Sequence, residues 1–202
     1  LLLNSITGRN TMLRLTRQVK KVQQSFPLWS NYLLPPPALV KAPVLQPGNA
    51  STIVYFPACI SRVMGSYAGK AKDSMACFLS VCEKSQVNVI IPKHVNSICC
   101  SQIFSSKGFL DAQRIMANEV FTAIWAATES GKWPVVLDVS SCTYTLKNLE
   151  PSLDAVNREL FKQLTIWDAV EFLYHKVIPA ANPRSKKKDI VLHPVCSLEK
   201  MN

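Results

Sequence analysis

Acidic residues are absent from the first 72 positions, and Asp73 is the first carboxylate of the chain. The same stretch holds basic residues only: Arg9, Arg14, Arg17, Lys20, Lys21, Lys41, Arg62, Lys70 and Lys72. A segment with only positive charges can attract nucleic acid, an anionic membrane surface or an acidic partner protein. Alternatively, it can be a basic arm that is simply solvated. It also matches the composition of an organelle transit peptide. Because no aromatic-interleaved basic patch accompanies the charge, we expect no nucleic-acid binding.

Long apolar runs are absent as well. No run approaches the roughly 18 to 20 apolar residues that cross a bilayer, so we expect a soluble or peripheral protein. A glycine-rich phosphate loop is also lacking, so we predict no nucleotide site. The 202 residues, 48% of them hydrophobic, suffice for one domain of ordinary size and an appendage. Since the chain begins with Leu1, we expect a processed chain or a piece of a longer one.

Cysteine, by contrast, is abundant. The seven cysteines include an adjacent pair, Cys99 and Cys100, that cannot easily bridge to itself. An odd number of cysteines in a chain of this length disfavours a secreted disulfide framework and favours metal or redox use in a reducing compartment. We expect that compartment to be the cytoplasm or a mitochondrion, where the protein is either free or peripheral to the inner membrane.

Composition divides the chain into three parts. Residues 1–50 contain an amphipathic helix near residues 12 to 22 and then a proline-rich, extended connector. Residues 51–180 have the pattern of a first cysteine-rich α/β half. Residues 181–202 begin a second half that stops at Asn202.

Strands and helices alternate after residue 50. Short apolar runs predict three buried strands, at residues 53–56, 87–91 and 134–138. Helical spacing predicts three helices, over residues 70–85, 105–130 and 167–176. One face of the first of these helices is apolar: Met75, Phe78, Leu79 and Cys82. Cys77 and Cys82 are therefore expected to be helix-surface or core thiols. The alternation predicts an α/β fold with a mainly parallel sheet and flanking helices.

A short internal repeat has the same design of a strand followed by Pro-x-Cys. Residues 53–59 align with residues 190–196 at a constant offset of 137, so that Cys59 matches Cys196. We therefore interpret the fold as a cysteine-rich half-domain that begins a truncated second repeat.

Four cysteines come shortly after predicted strand ends. Cys59 follows the first strand, Cys99 and Cys100 follow the second, and Cys142 follows the third. Because the carboxyl ends of parallel strands meet at one edge of a sheet, we expect these thiols to converge. Thiolates are soft ligands that suit zinc, copper(I) or iron–sulfur clusters.

The order Cys59, then Cys99 and Cys100, then Cys142, with 39 and 41 intervening residues, resembles the CCG-type cysteine-rich domain. That domain occurs in heterodisulfide reductases, in the iron–sulfur components of glycolate oxidase and of lactate-utilisation systems, and in the C-terminal part of FAD-binding D-lactate dehydrogenases. Four segments are similar to the last of these, namely residues 55–65, 99–109, 138–144 and 193–201.

The resemblance implies an electron-transfer or metal-binding module of a flavin-dependent D-2-hydroxyacid (D-lactate type) dehydrogenase. It implies Cys59, Cys99, Cys100 and Cys142 as ligands of an iron–sulfur cluster or zinc, with Cys196 opening a second half-site. FAD is then expected only on a missing domain or partner, so the chain is not a catalytically complete enzyme. The implied partners are a flavin-containing dehydrogenase domain or subunit and a larger membrane-associated complex.

Two residues depart from the pattern of that family. The glycine of the CCG motif is Ser101 here, and Thr145 stands where the family motif ends with a further cysteine. These departures favour an alternative, in which the chain is a degenerate, cofactor-free homologue serving as a structural subunit of a larger complex, such as a mitochondrial respiratory one. A third reading is an independent thiol-disulfide enzyme that uses Cys99 and Cys100.

Overall fold

The computed structural model describes residues 9–30, 51–63, 73–181, 189, 191 and 193–201. A four-stranded parallel sheet with strand order β2-β1-β3-β4 lies at the centre of this described part. Its strands are β1 Thr52–Phe56, β2 Asn88–Ile90, β3 Val135–Leu137 and β4 Ile166–Asp168. The predicted α/β class with a parallel sheet and flanking helices is confirmed.

The two central strands are continuous apolar runs. All of β3 and the last four residues of β1 are buried. Strands covered on both faces have this pattern, whereas a strand with one solvated face alternates between apolar and polar residues. Val54 pairs with Ile90 on one side and with Val135 on the other, which sets the register. The three predicted strands are therefore present, each within two residues of its predicted ends.

Helices precede, connect and follow the strands. They are α1 Arg9–Val22, α2 Cys59–Val63, α3 Ser74–Lys84, α4 Gln102–Ser105, α5 Leu110–Ala127, α6 Ser140–Lys147, α7 Ala155–Phe161, α8 Ala169–Phe172, α9 Ile178–Ala181 and α10 Cys196–Glu199. A π-helical turn, Leu173–Val177, joins α8 to α9. Helix α1 confirms the helix predicted near residues 12 to 22. None of the described helices is long and apolar enough to cross a membrane.

Two apolar cores enclose the sheet. On one face α3 buries the four residues predicted from its spacing, which pack with Ile53 and Tyr55 of β1. On the other face α5 and α6 contribute buried residues that pack with Phe56 and Leu137. Successive residues of a strand point to opposite faces, so Tyr55 and Phe56 enter different cores. Fully burying one such large apolar side chain contributes roughly 1.5–3 kcal/mol.

The helix predicted over residues 167–176 is wrong at its start. Residues Ile166–Asp168 form β4, in which Trp167 pairs with Val136 of β3. The helix begins only at Ala169. The carboxylate of Asp168 caps it by accepting a hydrogen bond of 2.9 Å from the Val170 amide. A strand of three residues is too short to show a hydrophobic period, so its sequence carries no clear strand signal.

The helix predicted over residues 105–130 begins later in the structure, at Leu110. α4 ends at Ser105 and α5 begins at Leu110, with Gly108 between them at φ 76°. Glycine adopts this left-handed backbone without a Cβ penalty, and such a residue ends a helix. The predicted stop at Gly131 is confirmed, because α5 ends shortly before it and Gly131 has φ 84°.

Two predictions fall wholly or partly outside the described residues. Most of the proline-rich connector lies at residues 31–50, and two residues of the second-copy strand, Ile190 and Leu192, are also outside. The described part of the second copy shows α10 beginning at Cys196, just as α2 begins at Cys59. The division of the chain into three parts stays a prediction.

Candidate functional site

The carboxyl ends of the strands meet at one edge of the sheet. β1 lies between β2 and β3, and the chain passes from β1 to β2 before it returns to β3. The strand order therefore reverses between β1 and β3, and open parallel sheets bind ligands in the crevice at such a switch point. Cys59 follows β1 and Asp138 follows β3, so these two residues flank the crevice.

Asp138 joins the two sides of this crevice. Its carboxylate accepts hydrogen bonds of 2.8 Å from the Tyr55 hydroxyl and of 2.8 Å from the Ala58 amide. Burial, and after it the Asp138 carboxylate, raises the pKa of Tyr55 above its ordinary value, so the hydroxyl stays protonated and donates. The bond to Ala58 fixes the residue that precedes Cys59. Asp138, at the end of β3, therefore fixes the position of the first turn of α2.

The adjacent cysteines lie on the segment that follows β2. Cys99 is half-buried and Cys100 is buried. The amide of Ser101 donates a hydrogen bond of 3.4 Å to the Cys99 Sγ. Ser101 has φ 70°, in the left-handed region, so the chain turns sharply here before α4 begins.

Cys142 lies in the first turn of α6, and its thiol forms a hydrogen bond with that of Cys100. This bond lowers the pKa of Cys100 to about 7, against the opposing effect of burial. The same bond, and then burial, raises the pKa of Cys142. The two thiols therefore titrate as one hydrogen-bonded pair.

The other two thiols lie within electrostatic reach of this pair. Burial raises the pKa of Cys99, and the charges of Cys100 and Cys59 raise it further. Cys59 also raises the pKa of Cys142. The Asp138–Ala58 and Arg62–Ile98 hydrogen bonds bring together, at the edge where the strands end, the three segments that carry the four thiols. Their role as ligands stays a prediction.

Arg62, on α2, lies among these thiols. Its guanidinium donates hydrogen bonds to three main-chain carbonyls, those of Pro57 at 3.1 Å, Ile98 at 2.7 Å and Val95. Burial lowers the pKa of Arg62, whereas the nearby thiols and Asp138 raise it. The guanidinium therefore supplies a positive charge that favours thiolates, and it ties α2 to the loop after β2.

The donor set fits a soft metal ion or an iron–sulfur cluster, because it consists of thiols with one compensating cation. Among the residues that the structure describes, however, no three His, Cys, Asp or Glu side chains surround a common point as bound ligands do. Cys100 and Cys142 instead contact each other through a thiol proton. Metal binding at these thiols would release that proton.

The remaining cysteines lie elsewhere. Cys196 is exposed at the start of α10, and α10 packs against α6, the helix of Cys142. Cys82 is buried in the core and Cys77 is exposed on α3. The expectation of core or helix-surface thiols is met for both.

Sequence reasoning missed two members of the site, Arg62 and Asp138. Asp138 directly follows a buried strand, and a polar residue at that point of a parallel sheet is a usable signal. Arg62 comes three residues after Cys59 in a helix, which places both on one face. Its three carbonyl partners come from other parts of the fold, so no sequence signal reveals them.

A cavity of about 900 Å³ lies next to this site, between the loop after β2 and helices α5 and α7. Ile98, Ala123 and Trp133 contribute to its apolar wall, and His94 and Asn157 to its polar part. Ile98 belongs to both features, because its carbonyl accepts the Arg62 hydrogen bond.

Comparison with known proteins gives no match. No protein-family model, no curated protein and no solved structure matches this chain. The resemblance to the CCG-type domain therefore rests on the four sequence segments alone.

Proposed function

We propose that this chain is an electron-transfer or metal-binding module in which Cys59, Cys99, Cys100 and Cys142 hold an iron–sulfur cluster or a zinc ion. The observation that carries the proposal is the meeting, at the switch point of the sheet, of the three segments that bear these thiols, which hydrogen bonds of Asp138 and Arg62 hold together. Four thiols from three chain segments can supply the sulfur donors of a thiolate-ligated centre.

Charge and burial support the same proposal. A cluster of thiolates in a buried site needs a compensating positive charge, and the Arg62 guanidinium provides one without a carboxylate among its hydrogen-bond partners. Cys59 is exposed while Cys100 and Cys142 are buried. A metal entering from solvent would therefore meet Cys59 first and the buried pair last.

The resemblance extends the proposal to a flavin-dependent D-2-hydroxyacid dehydrogenase of the D-lactate type. Ser101 stands at the glycine position of the CCG motif, and its φ of 70° is the backbone that glycine favours. The flavin, which would abstract hydride from the acid, belongs to a partner domain or subunit. An iron–sulfur cluster held by this chain's thiols would then supply the acceptor for the flavin's electrons, whereas zinc, which has no redox chemistry, would serve a structural role. Cys196 would open a second half-site.

Anaerobic loading of the full chain tests the proposal. The purified protein is incubated with zinc, or with iron and sulfide, desalted and analysed for metal and acid-labile sulfide. We expect near-stoichiometric retention in the wild type and in Cys77→Ala, whose exposed thiol lies on α3. Alanine at Cys100 or Cys142 should abolish it. Retention that is no higher in the wild type than in Cys100→Ala would overturn the proposal.

A second candidate is the cofactor-free structural subunit. The hydrogen bond between the Cys100 and Cys142 thiols favours it, because it satisfies both groups without metal. Apolar side chains that follow the cysteine pair are also available to a partner protein, since Ile103, Phe109 and Leu110 are all more than half exposed. This candidate predicts an empty thiol site in protein isolated anaerobically within a native assembly, and a loaded site there excludes it.

A further inference from the structure

Helix α1 separates its apolar and its basic side chains onto opposite sides. Residues three and four apart in a helix share one side. One series with this spacing is apolar: Met12, Leu15, Val19 and Val22. Another series is basic: Arg14, Arg17 and Lys21. Of the apolar residues of α1 only Leu13 lies outside the first series, so the helix is strongly amphipathic.

The fold leaves the apolar side of α1 partly uncovered. Neither apolar core around the sheet includes a residue of α1. Among the described side chains of the helix only Thr16 is buried, whereas Leu15 is 55% and Val22 91% exposed. A helix of 14 residues is marginal in water and gains most of its stability from packing its apolar side. We therefore expect this side to be covered by a surface that is not among the described residues.

Charge indicates the chemistry of that surface. The first carboxylate of the chain is Asp73, so the charged residues of α1 are all basic. The salt bridges of the described residues include none of its exposed basic side chains: Arg14, Arg17, Lys20 and Lys21. Arg14 and Lys20 border the apolar side on its two edges. Long basic side chains in such positions reach anionic groups while the apolar side is buried.

Trp29 favours a lipid surface over a protein or nucleic-acid partner. Its amide donates a hydrogen bond of 3.0 Å to the Thr16 hydroxyl, which holds this residue beside α1. The side chains of Leu28 and Trp29 are 48% and 37% exposed. Tryptophan is enriched at membrane–water interfaces, where its ring contacts apolar groups and its N–H stays hydrated. Nucleic acid would use the charges of α1 and leave its apolar side uncovered.

We infer that α1, with the adjoining Leu28 and Trp29, binds an anionic lipid surface, its apolar side against the acyl chains and its basic side chains at the headgroups. Basic amphipathic helices bind in this way in the plane of the interface. The inference goes beyond the proposed function, because it assigns a lipid partner to a part of the chain that contains no cysteine.

Vesicle sedimentation with the full chain tests the inference. The vesicles are phosphatidylcholine alone, or phosphatidylcholine with roughly one third phosphatidylserine. We expect binding to the anionic vesicles only, weakened by added salt. The double variant Arg14→Gln, Lys20→Gln should bind roughly thirtyfold more weakly, at about fivefold for each charge. Val22→Ser should bind about tenfold more weakly, because one apolar side chain no longer enters the bilayer.

Matched controls come from other helices. Lys84→Gln on α3 and Val156→Ser on α7 change the same residue types at exposed positions, so they should bind as the wild type does. Equal binding to neutral vesicles, or no binding to anionic ones, overturns the inference. Undiminished binding by Val22→Ser also overturns it, since charge alone would then drive the contact, as with RNA or an acidic protein. The assay uses metal-free protein, so failure of the thiol site leaves its result unaffected.

Discussion

Arg62 holds the loop after β2 through hydrogen bonds to main-chain carbonyls, and Asp138 holds the end of β1 through the Tyr55 hydroxyl and the Ala58 amide. Hydrogen bonds that involve a charged group contribute roughly 1.5–3 kcal/mol each. These two side chains therefore fix where the segments bearing Cys59 and Cys99 lie, without being ligands themselves.

Arg62→Lys should release the loop after β2. Lysine keeps the charge, but its ammonium cannot reproduce the planar fork that spans three carbonyls. We expect the free energy of unfolding to fall by about 1–3 kcal/mol, with faster amide hydrogen exchange in residues 93–100. Arg158→Lys is the control, because Arg158 bonds a single carbonyl, that of Leu153, at 3.1 Å. Equal losses in the two variants would contradict the bridging role.

Tyr55→Phe should change how stability depends on pH. Burial and Asp138 raise the pKa of Tyr55 in the folded protein. Tyr55 therefore contributes fully to the stability of the fold below the ordinary tyrosine pKa of about 10. That contribution is lost as the pH rises above this value. We expect wild-type stability to fall there by about 1.4 kcal/mol per pH unit, and the variant to lack this slope. Cys82, whose pKa burial raises to about 12, adds a slope of the same sign to both proteins.

Urea unfolding between about pH 8 and pH 11 measures this difference. Below pH 9 the variant should still be less stable, because the hydrogen bond to the Asp138 carboxylate is lost. Tyr174→Phe is the control, since the Tyr174 side chain is largely exposed. If the free energy of unfolding of Tyr55→Phe falls with rising pH as steeply as that of the wild type, Tyr55 ionises as readily in the folded protein as in the unfolded one.

Helices and strands with a regular pattern of apolar residues are predictable from this sequence. Helices and strands that are short or mostly polar are not. The buried face of α3 and the run of β1 follow directly from their periodicity. Helix α6 contains Cys142 but is mostly polar, so nothing in its spacing marks it as a helix. β4 is also difficult to predict from the sequence. Its last residue, Asp168, is at the same time the N-cap of α8, so the strand runs directly into the helix.

Two glycines at helix ends offer a matched test at this scale. Gly108 and Gly131 both have positive φ, but a Cβ on Gly108 would meet nothing within 4 Å. A Cβ on Gly131 would lie 3.1 Å from the Gln163 carbonyl oxygen and 3.3 Å from the Trp125 ring. We expect Gly108→Ala to lose about 1 kcal/mol from backbone strain alone. Gly131→Ala should lose about 1–2 kcal/mol more.

Chemical denaturation of the two glycine variants measures this contrast. If Gly131→Ala is no less stable than Gly108→Ala, the close approach of the residue 163 carbonyl to the turn after α5 is not a constraint. A nearly unchanged Gly108→Ala would instead indicate that the turn between α4 and α5 readily adopts another backbone.

At the scale of the whole molecule, strand order predicts where the thiols gather but not how they are held. Four cysteines after three strand ends converge because parallel strands share one carboxyl edge. The Arg62 guanidinium and the left-handed backbone of Ser101 depend on contacts among distant segments. These contacts are visible only in the folded chain.

X-ray absorption at the metal K-edge of the anaerobically loaded full chain counts the atoms bound to the metal, and so shows directly whether the gathered thiols are its ligands. We predict a first shell of sulfur, at about 2.3 Å for zinc, that is lost or depleted in Cys142→Ala. A shell of nitrogen and oxygen alone, or a sulfur shell that Cys142→Ala leaves intact, would contradict the thiol site.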